Sequence, residues 1–404
     1  MDRREVKDLI SASSLTPALR WVREELQQLS ARGLERRRKL RTSQQGPIIR
    51  LEGRDVLNFG SNDYLGLASD PRLMQAAISS FRQEGWGSGA SALVSGFSDS
   101  HGRLAEALAH FWNAEAALVF PSGYMANLGT IAALVGPGDV IYCDQRNHAS
   151  IWDGARLSRA DIRTYTHNDL SNLQRLLQKR GNYRRALIVT DSLFSIDGDL
   201  APLPELAELA ARYECMFVVD EAHALGIFGP RGGGVGESFR LQSRIDVRVG
   251  TLSKALGCAG GFIAGARELV EWLVNRARSY IFTTAMPAPL AAAAIQALEI
   301  VQNEPFRGAQ LLLRAAELRH HLQAQGWTIG ASQSQIIPIM VGAPEAAVKL
   351  SELLFEKGIY VPAMRPPTVP EGQACLRISL TWAHQPEMLE QLLVSLRGLR
   401  ARFV

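Results

Sequence analysis

The chain has 404 residues, longer than the roughly 250–300 that one hydrophobic core serves, so two lobes are expected. With 47% hydrophobic and 21% charged residues it is not a disordered chain. The formal net charge is only +4, and its one dense basic run, Arg36–Lys39 with Arg41 beyond, reads as the solvated face of an N-terminal helix; no nucleic-acid partner is expected.

The first residues, Met-Asp-Arg-Arg-Glu-Val-Lys, lack the apolar core of a signal peptide. No run approaches the ~18 apolar residues of a membrane span, so a cytoplasmic chain is expected. Residues 1–54 read as a charged helical segment with apolar positions Leu9, Leu15, Leu19, Val22 and Leu26. From 55 to 287, short apolar runs alternate with amphipathic ones, the pattern of an α/β domain with a mainly parallel sheet. The predicted strands are Ala116–Phe120, Val140–Cys143, Ala186–Thr190, Met216–Val219, Val247–Thr251 and Gly261–Ala264, with a helix at Leu203–Tyr213 between two of them. Residues 288–404 read as a smaller α+β domain: an alanine-rich helix, strands at Ile336–Val341 and Leu376–Leu380, and helices at Ala346–Lys357 and Pro386–Arg400. Cys143, Cys215, Cys258 and Cys375 form no Cys-x-x-Cys pair, so buried thiols in a reducing compartment are expected.

In a parallel α/β sheet, ligands sit outside the carboxyl ends of the strands, and several chemically loaded residues fall there. Lys254, in Thr251-Leu-Ser-Lys-Ala-Leu-Gly257, lies among small and apolar neighbours at a strand end. Burial lowers a lysine's pKa, which suits an amine that condenses with an aldehyde; a lysine that merely snorkels is the plain alternative. Asp220 ends the apolar run Met216–Val219 and precedes Glu221-Ala-His223. A carboxylate there can keep a pyridine nitrogen protonated, or can simply sit at a helix start. No second carboxylate–histidine cluster with ligand spacing appears, so no metal is expected. Pro121-Ser-Gly-Tyr-Met-Ala-Asn127 joins a strand to an apolar helix, a turn whose free N–H groups can hold a phosphate, with Thr251 and Ser253 as further donors. The glycine-rich run Gly229–Gly236 fits neither the P-loop nor the dinucleotide fingerprint and reads as a mobile loop. His148 follows another strand end, where an imidazole can stack on a ring or serve packing alone.

With these pieces the chain resembles the α-oxoamine synthases, a branch of the fold-type-I pyridoxal-phosphate (PLP) enzymes, over nearly its whole length. The resemblance rests on Ser-Asn-Asp-Tyr-Leu-Gly-Leu at 61–67, Gly-Ser-Gly-Ala-Ser at 87–91, Pro-Ser-Gly-Tyr at 121–124 and Asn-His-Ala-Ser at 147–150. It continues through Asp-Ser-Leu-Phe-Ser-Ile-Asp-Gly-Asp at 191–199, Asp-Glu-Ala-His-Ala-Leu-Gly at 220–226 and Thr-Leu-Ser-Lys at 251–254. The tract Arg365-Pro-Pro-Thr-Val-Pro370, followed by Cys375-Leu-Arg-Ile-Ser-Leu, favours the branch that condenses L-alanine with a pimeloyl thioester on coenzyme A or a carrier, with decarboxylation, in biotin biosynthesis.

The resemblance implies a homodimer with shared active sites and a role for each matched residue. Lys254 matches the Schiff-base lysine, Asp220 the partner of the pyridine nitrogen, and His148 the ring-stacking histidine. Ser195 and His223 match groups near the phenolic oxygen; Gly123, Tyr124 and Thr251 match phosphate-binding positions. Arg377 matches the arginine that grips the amino-acid carboxylate, while Arg36 and Thr368 match acyl-substrate positions, with Arg37 and Arg38 adjoining the former. Thr283 or Thr284 would reach the neighbour's phosphate. Ala92 stands where many relatives carry arginine, and Trp382 and Gln385 depart from the usual Ala-His-Thr stretch; the bulk of Trp382 would reshape the substrate pocket. Alternatives of other kinds are a related synthase using glycine or serine, a PLP aminotransferase, and a non-catalytic partner subunit.

Overall fold

The computed structural model describes residues 15–403, so Leu9 lies outside the described residues. The N-terminal helix is short. It runs from Arg20 to Ala31, and Arg36–Arg38 follow in irregular chain, correcting the expectation that the basic run is helical. Gly33, at φ +64°, takes a left-handed turn that few other residues accept and carries the chain out of the helix.

The centre is a seven-stranded sheet built from β3 (Ala116–Phe120), β4 (Val140–Asp144), β5 (Asp161–Tyr165), β6 (Ala186–Asp191), β7 (Met216–Asp220), β8 (Val247–Thr251) and β9 (Gly261–Gly265). β1 (Ile48–Leu51) and β2 (Arg54–Asn58) precede them; β10 (Ile336–Gly342), β11 (Ile359–Tyr360), β12 (Ala363–Met364) and β13 (Ala374–Ser379) follow. The spatial order is β3-β9-β8-β7-β6-β4-β5. β4 through β8 pair in parallel, and β9 runs antiparallel to both β3 and β8. Only residues 252–260 join β8 to β9. That is too short for a parallel crossover of a dozen or more residues, so the chain doubles straight back. The hairpin-like connection holds Lys254 at the carboxyl edge of the sheet.

β4, β6 and β8 are buried along their whole length, which is why β4 and β6 are apolar up to their last residues instead of alternating, while β8 carries a buried Arg248 between two valines. The alanine-rich helix Ala288–Asn303 packs against helices Pro71–Glu84 and Asp99–Phe111. Its Ala291, Ala294 and Ala297 are fully buried, since small side chains let the helix axes approach closely. β10, β13 and β12 form a smaller antiparallel sheet, and β11 pairs in parallel with β2, which pairs with β1. No described helix is long and apolar enough to cross a membrane.

The glycine-rich run is not a free loop. Gly232 to Gly236 are buried, and the backbone wraps two carboxylates. Glu221 accepts from the N–H groups of Val235 (2.9 Å) and Gly236 (2.7 Å), and Glu237 from those of Arg231 (3.1 Å) and Gly233 (2.8 Å). Gly234 sits at φ +107°, and a side-chain carbon there would lie 2.5 Å from the Glu221 carboxyl. The glycines serve this close wrapping, which the expectation of a mobile loop missed.

Candidate active site

The register of the parallel strands brings the acids together. β6 and β7 pair with Asp191 directly opposite Asp220, so two aspartates end adjacent strands side by side. Asp220 Oδ1 accepts the Ala222 N–H at 2.8 Å, and its Oδ2 accepts the side-chain amide of Asn127 at 2.6 Å. That amide also donates to Ser150 Oγ at 2.9 Å, which lies 2.8 Å from His148 Nδ1. The His148 backbone N–H in turn donates to Asp191 Oδ2 at 2.7 Å. A polar chain therefore runs from Asp220 through Asn127, Ser150 and His148 to Asp191.

Lys254 faces this chain with no hydrogen-bond partner for its amine among the described residues. Its surface is partly open, yet the crowding around Nζ lets burial push the amine down to about 8, against the opposing pull of Asp220 and Asp191. Burial, reinforced by the Asp220 charge, raises the Asp191 carboxyl well above the usual range. Burial also lowers the His148 imidazole, with Lys254 adding to the effect and Asp220 opposing it. His223 lies well below its ordinary value because it is buried near Lys254 and Arg377. Both imidazoles are thus held neutral at neutral pH, as flat uncharged surfaces or hydrogen-bond partners.

Across from the acids stands Arg377 on β13, 4% exposed. Its Nη1 donates to Asn62 Oδ1 (3.0 Å) and Ser379 Oγ (2.6 Å), its Nη2 to Tyr64 Oη (3.3 Å), and its Nε to the carbonyl of Ser195. Tyr64 Oη also contacts His223 Nδ1 at 2.7 Å. Among the described residues no carboxylate pairs with Arg377. A buried guanidinium held only by neutral groups, with one Nη2 N–H still free, suits an incoming carboxylate.

The turn at Ser122 starts the helix Gly123–Leu134, with Ser122 Oγ accepting the Met125 N–H at 3.2 Å. A side-chain carbon on Gly123 would lie 3.3 Å from Thr251, so its bare backbone lies close to the Thr251–Ser253 hydroxyl pair, 2.8 Å apart. Tyr124 is 43% exposed and its hydroxyl meets Asp153, leaving its backbone N–H as the part at the helix start.

Thr368 lies in the β12–β13 hairpin loop, where Arg36 Nη2 donates to its Oγ1 at 3.3 Å and to the Pro366 carbonyl at 3.5 Å. Arg37 instead pairs with Glu35 at 3.1 Å, which separates it from Arg36. Trp382 does not enter the pocket. Its ring lies under Arg307 at 4.2 Å and its Nε1 donates to Gln310 at 2.9 Å, so it packs on the helix Phe306–Ala324. Thr284 is exposed and bridges to Ser91, beside Ala92.

Sequence reasoning assigned no role to Asn127, Asp191, Asn62 or Tyr64, although each stands in a motif quoted above. Asn127 lies one turn into the helix that starts at Ser122, and that spacing is the signal that could have revealed it. His167, Asp197 and Asp199 form a cluster of metal-ligand geometry among the described residues. Both ring nitrogens of His167 are taken, by Asp144 and Asp199 at 2.9 Å each. Burial pulls this histidine down, but the two carboxylates outweigh it and raise it to about 9, making it an internal cation. A groove of about 1040 Å³ lies at the opposite end of the sheet, around Pro137, Arg184 and Trp272, away from all of these groups.

The donor set fits PLP. It offers a low-pKa amine, an aspartate for a ring nitrogen, a glycine-backed turn for a phosphate, and a buried Asn127 Oδ1 without a partner among the described residues. A model of the class I and II aminotransferase family matches residues 54–396. The 8-amino-7-oxononanoate synthase of Anaeromyxobacter dehalogenans is 46% identical over 379 residues, covering 94% of this chain and 95% of its own. A serine palmitoyltransferase from S. paucimobilis, solved with a bound PLP–myriocin compound, superposes with a TM-score of 0.90 at 31% identity, covering 96% of this chain and 99% of that one. The 8-amino-7-oxononanoate synthase of Francisella tularensis gives 0.74 at 30% identity, covering 86% and 99%. The chain belongs to the class I and II aminotransferase family, in its PLP-dependent α-oxoamine synthase branch alongside the 8-amino-7-oxononanoate synthases.

Proposed function

We propose that the chain condenses L-alanine with a pimeloyl thioester, releasing carbon dioxide and a thiol, to give 8-amino-7-oxononanoate. The observation that carries this reading is Arg377, a buried guanidinium without an acid among the described residues, facing the same pocket as the low-pKa amine of Lys254. The choice among related synthases follows identity. The serine palmitoyltransferase overlaps better in fold than the F. tularensis synthase, 0.90 against 0.74, but the A. dehalogenans synthase shares 46% of residues against its 31%. Identity bears on the side chains that select a substrate, whereas fold does not.

When bound, PLP supplies an aldehyde for amines and a ring that draws negative charge from the amino acid's α-carbon. The chain's residues do the rest. Lys254 Nζ would hold the cofactor covalently, and its low-pKa amine is the group that would take the α-proton. Asp220 would keep the ring nitrogen protonated, His148 would offer its flat neutral imidazole to the ring, and Ser195 and His223 would serve the phenolic oxygen. The backbone of Gly123 and Tyr124, with Thr251, would hold the phosphate. Arg377 fixes the alanine carboxylate, and Arg36 and Thr368 meet the acyl thioester. The large unit 55–287 and the smaller unit 288–404 would supply the two walls of this site.

A second copy completes the assembly in this reading. Thr284 and Phe282, with Trp86 and Val94 near its Ser91 bridge, form a surface whose aromatic and aliphatic members are 68–78% exposed, as a homodimer contact reaching the neighbour's phosphate requires. The four free cysteines suit a reducing cytoplasm.

The test offers alanine, glycine and serine with acetyl, pimeloyl and long-chain thioesters and follows thiol release. Alanine with the pimeloyl thioester is expected to be turned over fastest. A preference for glycine with acetyl-CoA, or no thiol release with a keto-acid requirement, overturns the reading. In the same assay Arg377→Ala should raise the alanine KM by about 10–100-fold, the scale of lost bonds to a charged group. The thioester KM should stay nearly constant.

A further inference from the structure

The hairpin loop 365–373 between β12 and β13 carries Thr368, yet few bonds hold it to the body of the protein. The backbone bonds of Thr368 to Arg365 and of Gln373 to Pro370 are internal to the loop. On one side it rests on the N-terminal segment, through Arg36 and through Arg365, which donates to the Glu35 carbonyl. On the other side there is Arg146. Its Nη1 meets both carboxylate oxygens of Asp197 at 2.8 and 2.9 Å, and its Nη2 donates to Gln373 Oε1 at 2.8 Å. Arg146 and Asp197 are each about one-quarter exposed, so the contact is shielded but not sealed. Each partner sits two to four residues from a site group: Arg146 from His148, Asp197 from Ser195, and Gln373 from Arg377.

We propose that Arg146, clamped by Asp197, is a positioning residue that latches the loop through Gln373 and thereby sets the affinity for the acyl thioester. The inference rests on the acyl-transfer reading given above. The planar guanidinium suits this task, because one edge can be fixed by a carboxylate while another nitrogen reaches a second segment. Among the described residues the Gln373 side chain hydrogen-bonds only to Arg146, so its removal loosens the loop without breaking a bond to Asp220, Lys254 or Arg377.

The experiment compares holoenzyme with Gln373→Ala and Gln373→Glu. In Gln373→Ala, amide exchange at Thr368, Val369, Glu371 and Gly372 should quicken and the thioester KM should rise, each by about tenfold, the scale of one charge-assisted hydrogen bond. Alanine KM, kcat and the visible spectrum of the bound cofactor should change less than about twofold. Gln373→Glu keeps an acceptor toward Arg146 and should restore slow exchange and the parent KM. The exchange measurement needs no substrate. Unchanged exchange therefore overturns the latch even if the parent prefers another thioester, a result that would instead defeat the functional reading. Faster exchange with an unchanged KM for the preferred thioester, or an equal rise for alanine, overturns its role in thioester affinity.

Discussion

Replacing Lys254 by alanine is expected to lower kcat by about 10²–10⁴-fold, the range of a positioned proton transfer, with loss of the covalent cofactor link as well. Borohydride reduction and peptide mapping should find a reduced adduct on Lys254 in the parent and none in the variant. The amine is active only when unprotonated, so the parent's kcat should climb as pH rises through about 8 and level off above it. A second readout needs neither substrate nor cofactor. The folded value of about 8 lies below the ordinary 10.5, so between these pH values the unfolded chain holds a proton that the folded chain has released. Stability therefore rises with pH across that window, by about 3 kcal/mol in all, and gains nothing from this group below 8 or above 10.5. Cofactor-free Lys254→Met should lack this rise when urea unfolding is followed from pH 7 to 11. A variant curve parallel to the parent's would show that the lysine is solvated like any surface lysine.

Much of this arrangement could be read in the sequence because the physics was local. β4, β6 and β7 were visible as apolar runs and β8 as a short valine-bearing stretch, with Asp220 and Lys254 as polar residues placed where these strands stop. The facing of Asp191 and Asp220 was not, since register between strands depends on pairing across the sheet. The role of Asn127 stayed hidden for the same reason: it is an ordinary amide until the fold brings Asp220 and Ser150 to it. Strands β11 and β12 were not foreseen, because a two-residue strand such as Ile359–Tyr360 has no period to detect, and β1 and β2 were not because they lie in or at the border of the stretch 1–54 read as helical. Trp382 was misplaced because sequence gives bulk but not direction. Arg307 and Gln310 on the neighbouring helix draw its ring away from the pocket.

Asp220→Asn should reduce kcat by about 10²–10³-fold while the protein still folds, because it removes a charge and keeps the side chain's shape. The carboxylate now accepts from two donors, the Ala222 N–H and the Asn127 amide. An amide offers one acceptor and one donor, so the substitution sets an N–H₂ group against one of them. Asn127 has an unpartnered Oδ1 among the described residues and can turn to accept that group. In turning it gives up its bond to Ser150, and the support of His148 goes with it. Asn127→Ala separates the two effects, since it strips the bond and leaves the charge. It should cost only about tenfold, the scale of one hydrogen bond to a charged group. The pH profile gives the sign. The Asp220 charge holds the Lys254 amine up against burial, so its loss should move the rise in kcat below pH 8, whereas Asn127→Ala should leave it near 8. A rise that stays at the same pH in Asp220→Asn would mean that the two groups do not share a field, and the assignment of Asp220 as the charge opposite Lys254 would fall.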